Sequence, residues 1–133
     1  MDTPHILVTG STRGIGAAIV AAVEGRAQVV GHGRADAPEV IGADLSDPAA
    51  ADRLWDAALE RLGGRIDVLV NNAGINIRGA IDELSYDDFR KVEQVNVDGV
   101  WLCSRAVVPH SHHTRRRSVG RPYFRATTRK NSS

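Results

Sequence analysis

Four short apolar runs mark this chain, and the longer stretches between them bring an apolar residue back every third or fourth position. Runs of the first kind suit parallel strands covered on both faces, and the second pattern suits helices with one apolar side. Ile6-Leu7-Val8 gives a first strand over residues 5–9. The alanines, valines and isoleucine of 17–23 predict a helix well buried against the sheet and ended by Gly25. Residues 27–32 read as a second strand and 39–43 as a third. Only about six residues, Pro38 among them, separate these two, whereas a parallel crossover takes about a dozen or more, so the connecting helix is expected to be reduced to a loop.

Further on, Asp47 and Pro48 form a helix start, cap and first position respectively. Leu54, Trp55, Ala58 and Leu62 follow on one face, and Gly63-Gly64 stops the helix. Residues 66–70 make a fourth strand. Ser85 with Asp88 three positions on opens a last helix, in which Phe89, Val92, Asn96, Gly99, Val100, Cys103 and Val107 recur at helical spacing up to Pro109. Strands alternating with helices predict an α/β fold with a parallel sheet.

Candidate chemistry sits at the ends of the strands. Thr9-Gly10-Ser11-Thr12-Arg13-Gly14-Ile15-Gly16 joins the first strand to its helix. A glycine turn opening onto a helix N-terminus forms an anion site, because the first-turn N–H groups lack partners and the helix dipole is positive there. Gly10 permits a positive φ, Gly14 lets a pyrophosphate approach the backbone, and Gly16 lets the helix pack closely on the strand. The spacing is G-x-x-x-G-x-G, not the G-x-G-x-x-G of the general dinucleotide fingerprint. Asp44-Leu45 follows the third strand, Asn71-Asn72-Ala73-Gly74 closes the fourth, and Asn96 lies inside the last helix.

These four motifs, in this order and spacing, resemble the short-chain dehydrogenase/reductase family over residues 5 to about 109. The resemblance implies a Rossmann-like doubly wound parallel sheet, here of about four strands in the order 3-2-1-4, with the ligand at the switch point between strands 1 and 4. It implies hydride transfer between NADP(H), or less favourably NAD(H), and a small carbonyl or alcohol. Gly10, Ser11, Arg13, Gly14, Ile15 and Gly16 would line the pyrophosphate, Ile15 through its backbone N–H. Arg13 either meets a 2′-phosphate or is a solvated surface arginine. An acid at the end of the second strand would select NAD, but His32-Gly33-Arg34 stands there; Arg34 favours NADP, with Asp36 close by.

Asp44 matches the acid that takes the adenine amino group, assisted by the backbone of Leu45; its alternative role is a turn aspartate capping the next helix. Asn72, Ala73 and Gly74 match the segment beside the cofactor ribose, while Asn71 is expected to stitch neighbouring strands. Asn96 matches the family asparagine that bends its helix and helps hold a proton-relay water, and it is the one catalytic residue the resemblance carries over. The family's catalytic serine and its Tyr-x-x-x-Lys pair have no counterpart. Tyr86 is followed four positions on by Arg90 and Tyr123 by Thr127, and Lys91 and Lys130 lack a partnered tyrosine.

Charge divides the chain at the same place. Residues 1–109 hold ten Lys/Arg against sixteen Asp/Glu, a net of −6, whereas 110–133 hold seven basic residues and no acid, a net of +7. The expected organisation is therefore an incomplete dinucleotide-binding domain, 1–109, followed by a basic tail of disordered composition, 110–133. A tail so rich in Arg, His, Ser and Thr, beginning in mid-fold, reads as a shifted reading frame or misplaced gene end. Nucleic-acid contact by Arg115–Arg117 and metal binding by His110, His112 and His113 are weaker alternatives, and no metal site is expected.

With no strand expected after Pro109, the fourth would be left as an open hydrophobic edge that invites pairing with another copy. The family implies a homo-oligomer, which the missing portion puts in doubt for this fragment. At 133 residues and 42% hydrophobic the chain makes at most one domain, without the apolar length for a membrane span or the basic start of a signal peptide. A single cysteine, Cys103, fits a reducing cytoplasm and the role of a small buried hydrophobe.

Overall fold

The computed structural model describes residues 3–108 and 127–128. Its strands are β1 (His5–Val8), β2 (Gln28–Gly33), β3 (Val40–Gly42) and β4 (Val68–Asn71), all parallel and in the order β3-β2-β1-β4. Helix α1 (Gly14–Val23) joins β1 to β2, and α2 (Ala50–Arg61) joins β3 to β4. After β4 comes α3 (Tyr86–Glu93), a π-helical turn (Gln94–Asp98) and α4 (Gly99–Ala106). This is the Rossmann-like arrangement expected from the sequence. In place of a helix between β2 and β3 there is a loop, closed by an antiparallel bridge of Ala37 to Val40.

The main core cluster lies on one face of the sheet. Leu7, Val30, Ile41 and Leu69 from the strands meet Leu54, Trp55 and Ala58 of α2 and Cys103 and Ala106 of α4. Trp55 is fully buried and donates its Nε1–H to the Cys103 carbonyl at 2.8 Å, which ties α2 to α4. Burial pushes the Cys103 thiol up to about 11. Helix α2 stops as expected, with Gly63 and Gly64 at φ 71° and 93° and the Gly64 N–H bonded to the Leu59 carbonyl at 2.7 Å.

Three expectations need correction. Helix α1 is not well buried: of its residues only Gly16 is fully covered. The cause is the missing crossover helix, whose place beside α1 is a groove of about 670 Å³ lined by Ala17, Val20, Val29, Pro38 and Val40. Helix α2 begins at Ala50 rather than at Pro48. Asp47 instead closes a turn, its Oδ1 accepting the Ala49 N–H at 2.9 Å and its Oδ2 held by Arg53 at 2.8 Å. Finally, β5 (Thr127–Thr128) pairs parallel with β4 through Val70 and Asn71, so the far end of β4 is not an open edge. Two threonines have strand propensity but no apolar run to announce them. The remainder of 110–133, with its three histidines and Arg115–Arg117, lies outside the described residues.

Candidate functional site

The carboxyl ends of β1, β2, β3 and β4 bring the four motifs together. Gly10 leaves β1 with φ 64°, and a Cβ there would sit 2.7 Å from the Ala73 Cα, so both backbone conformation and the approach of the β4 loop require glycine. A Cβ on Gly16 would overlap the Gly10 carbonyl oxygen and lie 2.6 Å from Asn72 Nδ2. Gly14 differs: its φ is 58°, but a Cβ there would meet nothing within 4 Å. The loop is thus packed inward at Gly10 and Gly16 and open at Gly14. Arg13 occupies the α1 cap position in an extended conformation, with no side-chain cap and no acid in the first turn. The first turn of α1 consequently keeps its partial positive charge without a capping side chain or an acid to answer it.

Thr9, which opens the glycine motif without a role assigned from sequence, fastens the β4 loop to β1. Its Oγ1 accepts the N–H groups of both Asn72 and Ala73 at 3.0 Å. Asn72 donates its Nδ2 to the Gly10 carbonyl at 3.1 Å, which fixes the amide's orientation and leaves its buried Oδ1 without a partner. The strand-stitching role expected of Asn71 therefore belongs to Asn72. Asn71 instead turns its amide away from the loop and donates to Ser104 Oγ at 3.2 Å, because successive strand side chains point to opposite faces.

On the β2 side, Ser11 is buried and wholly engaged with His32: its N–H and Oγ both reach the His32 carbonyl, and its Oγ accepts the His32 N–H at 3.0 Å. The His32 ring accepts the Gly10 N–H at Nδ1, 3.0 Å away, and Nε2 lies 2.8 Å from the Ala43 carbonyl. Burial lowers the His32 pKa, partly opposed by that carbonyl. Arg34 is exposed, and Asp36 accepts the Gly42 N–H at 2.8 Å.

Asp44 is exposed at the end of β3 and does not cap α2. Its Oδ1 accepts the Ser46 hydroxyl at 2.6 Å and the Ser46 N–H at 3.0 Å, which hold the carboxyl below its usual range, with Lys91 and Arg34 adding a smaller attraction. The Leu45 side chain is buried in the core. Asn96 stands in the π-helical turn, so the helix is deformed where a bend was expected. Its amide grips the backbone of Ile75 on both sides, Oδ1 accepting the N–H and Nδ2 donating to the carbonyl, each at 2.8 Å. Gly74 passes so close that a Cβ would lie 3.3 Å from Asn96 Oδ1. Among the described residues no group of three His, Cys, Asp or Glu side chains could hold a metal, and no helix is long and apolar enough to cross a membrane.

Thr9 and His32 are the residues that sequence reasoning missed. The signal for both was a polar side chain at the buried end of an apolar strand, where a hydrogen-bonding duty is the ordinary reason for its presence.

The family model for short chain dehydrogenase matches residues 4–121, somewhat past the last of the motifs. Meso-2,3-butanediol dehydrogenase of Serratia marcescens is 33% identical over 123 residues, covering 82% of this chain and 49% of its own length. Among solved structures, a short-chain dehydrogenase of Burkholderia cenocepacia in complex with NADP is 34% identical, with a TM-score of 0.73 over 81% of this chain and 51% of that one. A 3-ketoacyl-(acyl-carrier-protein) reductase of Brucella melitensis complexed with NADH is 30% identical, with a TM-score of 0.76 over 86% of this chain and 53% of that one. The chain spans about half the length of the curated relatives it matches. Motif spacing and strand order agree with the family match, which extends past the expected limit near residue 109 to residue 121: the chain belongs to the short-chain dehydrogenase/reductase family of oxidoreductases.

Proposed function

We propose that this chain carries the dinucleotide-binding portion of an NADP(H)-dependent oxidoreductase, which in the whole protein moves a hydride between the nicotinamide and a carbonyl or alcohol. The observation that carries the reading is the contrast within the glycine loop. Gly10 and Gly16 are filled by Ala73 and Asn72, whereas Gly14 faces open space at an uncapped helix N-terminus. A pyrophosphate fits that cradle by charge and by clearance. The orphaned Asn72 Oδ1 is a second fit, an acceptor placed beside the loop and lacking its donor.

In this reading Gly10, Gly14, Ile15 and Gly16 hold the pyrophosphate, with Ser11 keeping the loop against β2. Asn72, Ala73 and Gly74 border the ribose, and Asp44 with the Leu45 backbone receives the adenine. Asn96 acts on the nicotinamide side by fixing Ile75. The bound nicotinamide would supply or accept the hydride. Arg13 and Arg34 would meet a 2′-phosphate, and Asp36, the acid nearest Arg34 in sequence, accepts the Gly42 N–H. With no tyrosine four positions ahead of a lysine anywhere in the sequence, the chain binds nucleotide without a group to protonate the nascent alkoxide.

Titration of the purified chain with NADPH and NADH, followed by nicotinamide fluorescence, tests the reading. NADPH binds more tightly, by about 1 kcal/mol, since exposed charge pairs are weak. Tighter NADH binding would overturn the cofactor preference, and no binding of either would overturn the reading.

A further inference from the structure

Among the described residues, His32 is the one buried ionisable side chain whose ring touches two separate walls of the cradle. It is 5% exposed at the end of β2, with Nδ1 3.0 Å from the Gly10 N–H and Nε2 2.8 Å from the Ala43 carbonyl. A backbone N–H can only donate and a carbonyl can only accept, so the two partners dictate where the single ring proton sits. It is on Nε2, and Nδ1 presents its lone pair. The neutral imidazole is therefore a bridge of defined polarity between Gly10, which begins the glycine loop, and Ala43, which precedes Asp44. Ser11 locks the same residue from the backbone side.

We infer that His32 is a positioning residue for the nucleotide, a neutral clasp that sets the glycine loop against the Asp44 segment and lets go of the loop when the ring takes a second proton. This rests on the nucleotide reading of the site. The chemistry follows from the geometry: a proton added at Nδ1 would point at the Gly10 N–H, replacing a hydrogen bond by the contact of two donors.

The surroundings offer that second proton nothing. The ionisable groups on the segments packed about the ring are Arg13 in the glycine loop, Arg34 and Asp36 beyond β2, and Asp44 beyond β3, and none of them bonds to it. Asp36 accepts the Gly42 N–H and Asp44 accepts from Ser46, so each carboxylate holds a partner other than the ring. Level with His32, β3 contributes the apolar Ile41, while β1 pairs Val8 with Gly31 and reaches the level of the ring only at Thr9, whose hydroxyl is uncharged. Burial accordingly lowers the folded-state pKa, and the neutral clasp is complete at neutral pH and lost as the solution is acidified through that lowered value.

The experiment compares NADPH affinity of the wild-type chain, His32→Gln and His32→Phe between about pH 8 and about pH 5, with circular dichroism confirming that each stays folded. A glutamine amide offers an acceptor and a donor that do not titrate. The expected result is that His32→Gln binds within about threefold of wild type at the upper pH, while the ratio of the two affinities moves by about fivefold or more in favour of the glutamine variant at the lower one. Taking the ratio cancels the titration of the nucleotide's own phosphate. His32→Phe, which leaves Gly10 and Ala43 unanswered, is expected to bind about tenfold or more weakly throughout.

Imidazole ¹⁵N shifts of the wild type give a readout independent of any variant: Nε2 protonated and Nδ1 bare, persisting below about pH 6.5. A ratio that does not change with pH, or a ring protonated at Nδ1 at neutral pH, would overturn the clasp alone. Failure of the wild type to bind any nucleotide would overturn the proposed function, and the clasp with it.

Discussion

Substituting alanine at Gly14 and at Gly16 separates what the glycine loop needs for folding from what it offers a ligand. At Gly16 the new methyl group would overlap the Gly10 carbonyl oxygen and press on Asn72 Nδ2 at 2.6 Å. Neither neighbour is a flexible chain end: one is backbone, and the other is buried and bonded to that same carbonyl. Relief requires moving α1 off β1 or breaking the Asn72–Gly10 bond. Overpacking of this kind costs about 1–3 kcal/mol, and loss of a buried hydrogen bond whose acceptor stays dry adds about 1–3 kcal/mol. Gly16→Ala should thus destabilise by about 1–3 kcal/mol for either response alone and by up to about 6 kcal/mol where both occur. At Gly14 the methyl group meets nothing, and only the positive φ is strained, at about 1–2 kcal/mol.

Urea unfolding followed by circular dichroism gives both values. Nucleotide titration under folded conditions should show Gly14→Ala binding more weakly out of proportion to its small stability loss. If Gly14→Ala proves the more destabilising of the two, or Gly16→Ala lies within about 0.5 kcal/mol of wild type, the packing argument for the loop is wrong.

Replacing Thr9 by valine keeps its volume but strands the N–H groups of Asn72 and Ala73; a loss of about 2–4 kcal/mol in urea unfolding is expected, and a change below about 0.5 kcal/mol would deny Thr9 its fastening role. The Cys103 thiol, raised from 9.0 to about 11, should resist a disulfide reagent at about pH 8 until the chain unfolds. By linkage it favours the folded state fully below pH 9.0, and that contribution is lost as pH rises through about 11; stability that climbs over this interval in wild type relative to Cys103→Ala would contradict the assignment. NADPH oxidation with a panel of ketones and aldehydes should not exceed the buffer blank, since loss of a positioned acid alone costs about 10²- to 10⁴-fold; saturable turnover abolished by Gly14→Asp would refute this.

Much of the fold could be read in advance because its strands are continuous apolar runs and its turns are glycines with a single conformational purpose. The loop between β2 and β3 was readable as a simple matter of length. What escaped notice depends on partners distant in sequence. Whether α1 is covered depends on the neighbour that is absent beside it, not on its own apolar content. Asn71 and Asn72 are chemically identical, and only the pleat of β4 decides which one reaches Gly10 and which one reaches Ser104. The clasp at His32 needs three segments brought together, and β5 rests on two threonines that any loop could contain. Of the candidate site, the glycine loop, Asp44 and the Asn72–Gly74 segment were visible as motifs with roles, whereas the part Thr9 and His32 play in holding those motifs in register was not.

The π-helical turn at Gln94–Asp98 has a rotational meaning for everything that follows it. In an α-helix each residue advances the azimuth by about 100°, so a local widening resets the compass bearing of all later side chains. No residue of α3, before the turn, is fully buried, whereas α4, after it, aims Gly99, Cys103 and Ala106 inward. Were the turn to heal into regular helix, α4 would face the sheet with a different stripe, and the Cys103 carbonyl would swing away from Trp55. The asparagine that grips Ile75 therefore sits at the vernier by which the site and the hydrophobic core are brought into phase.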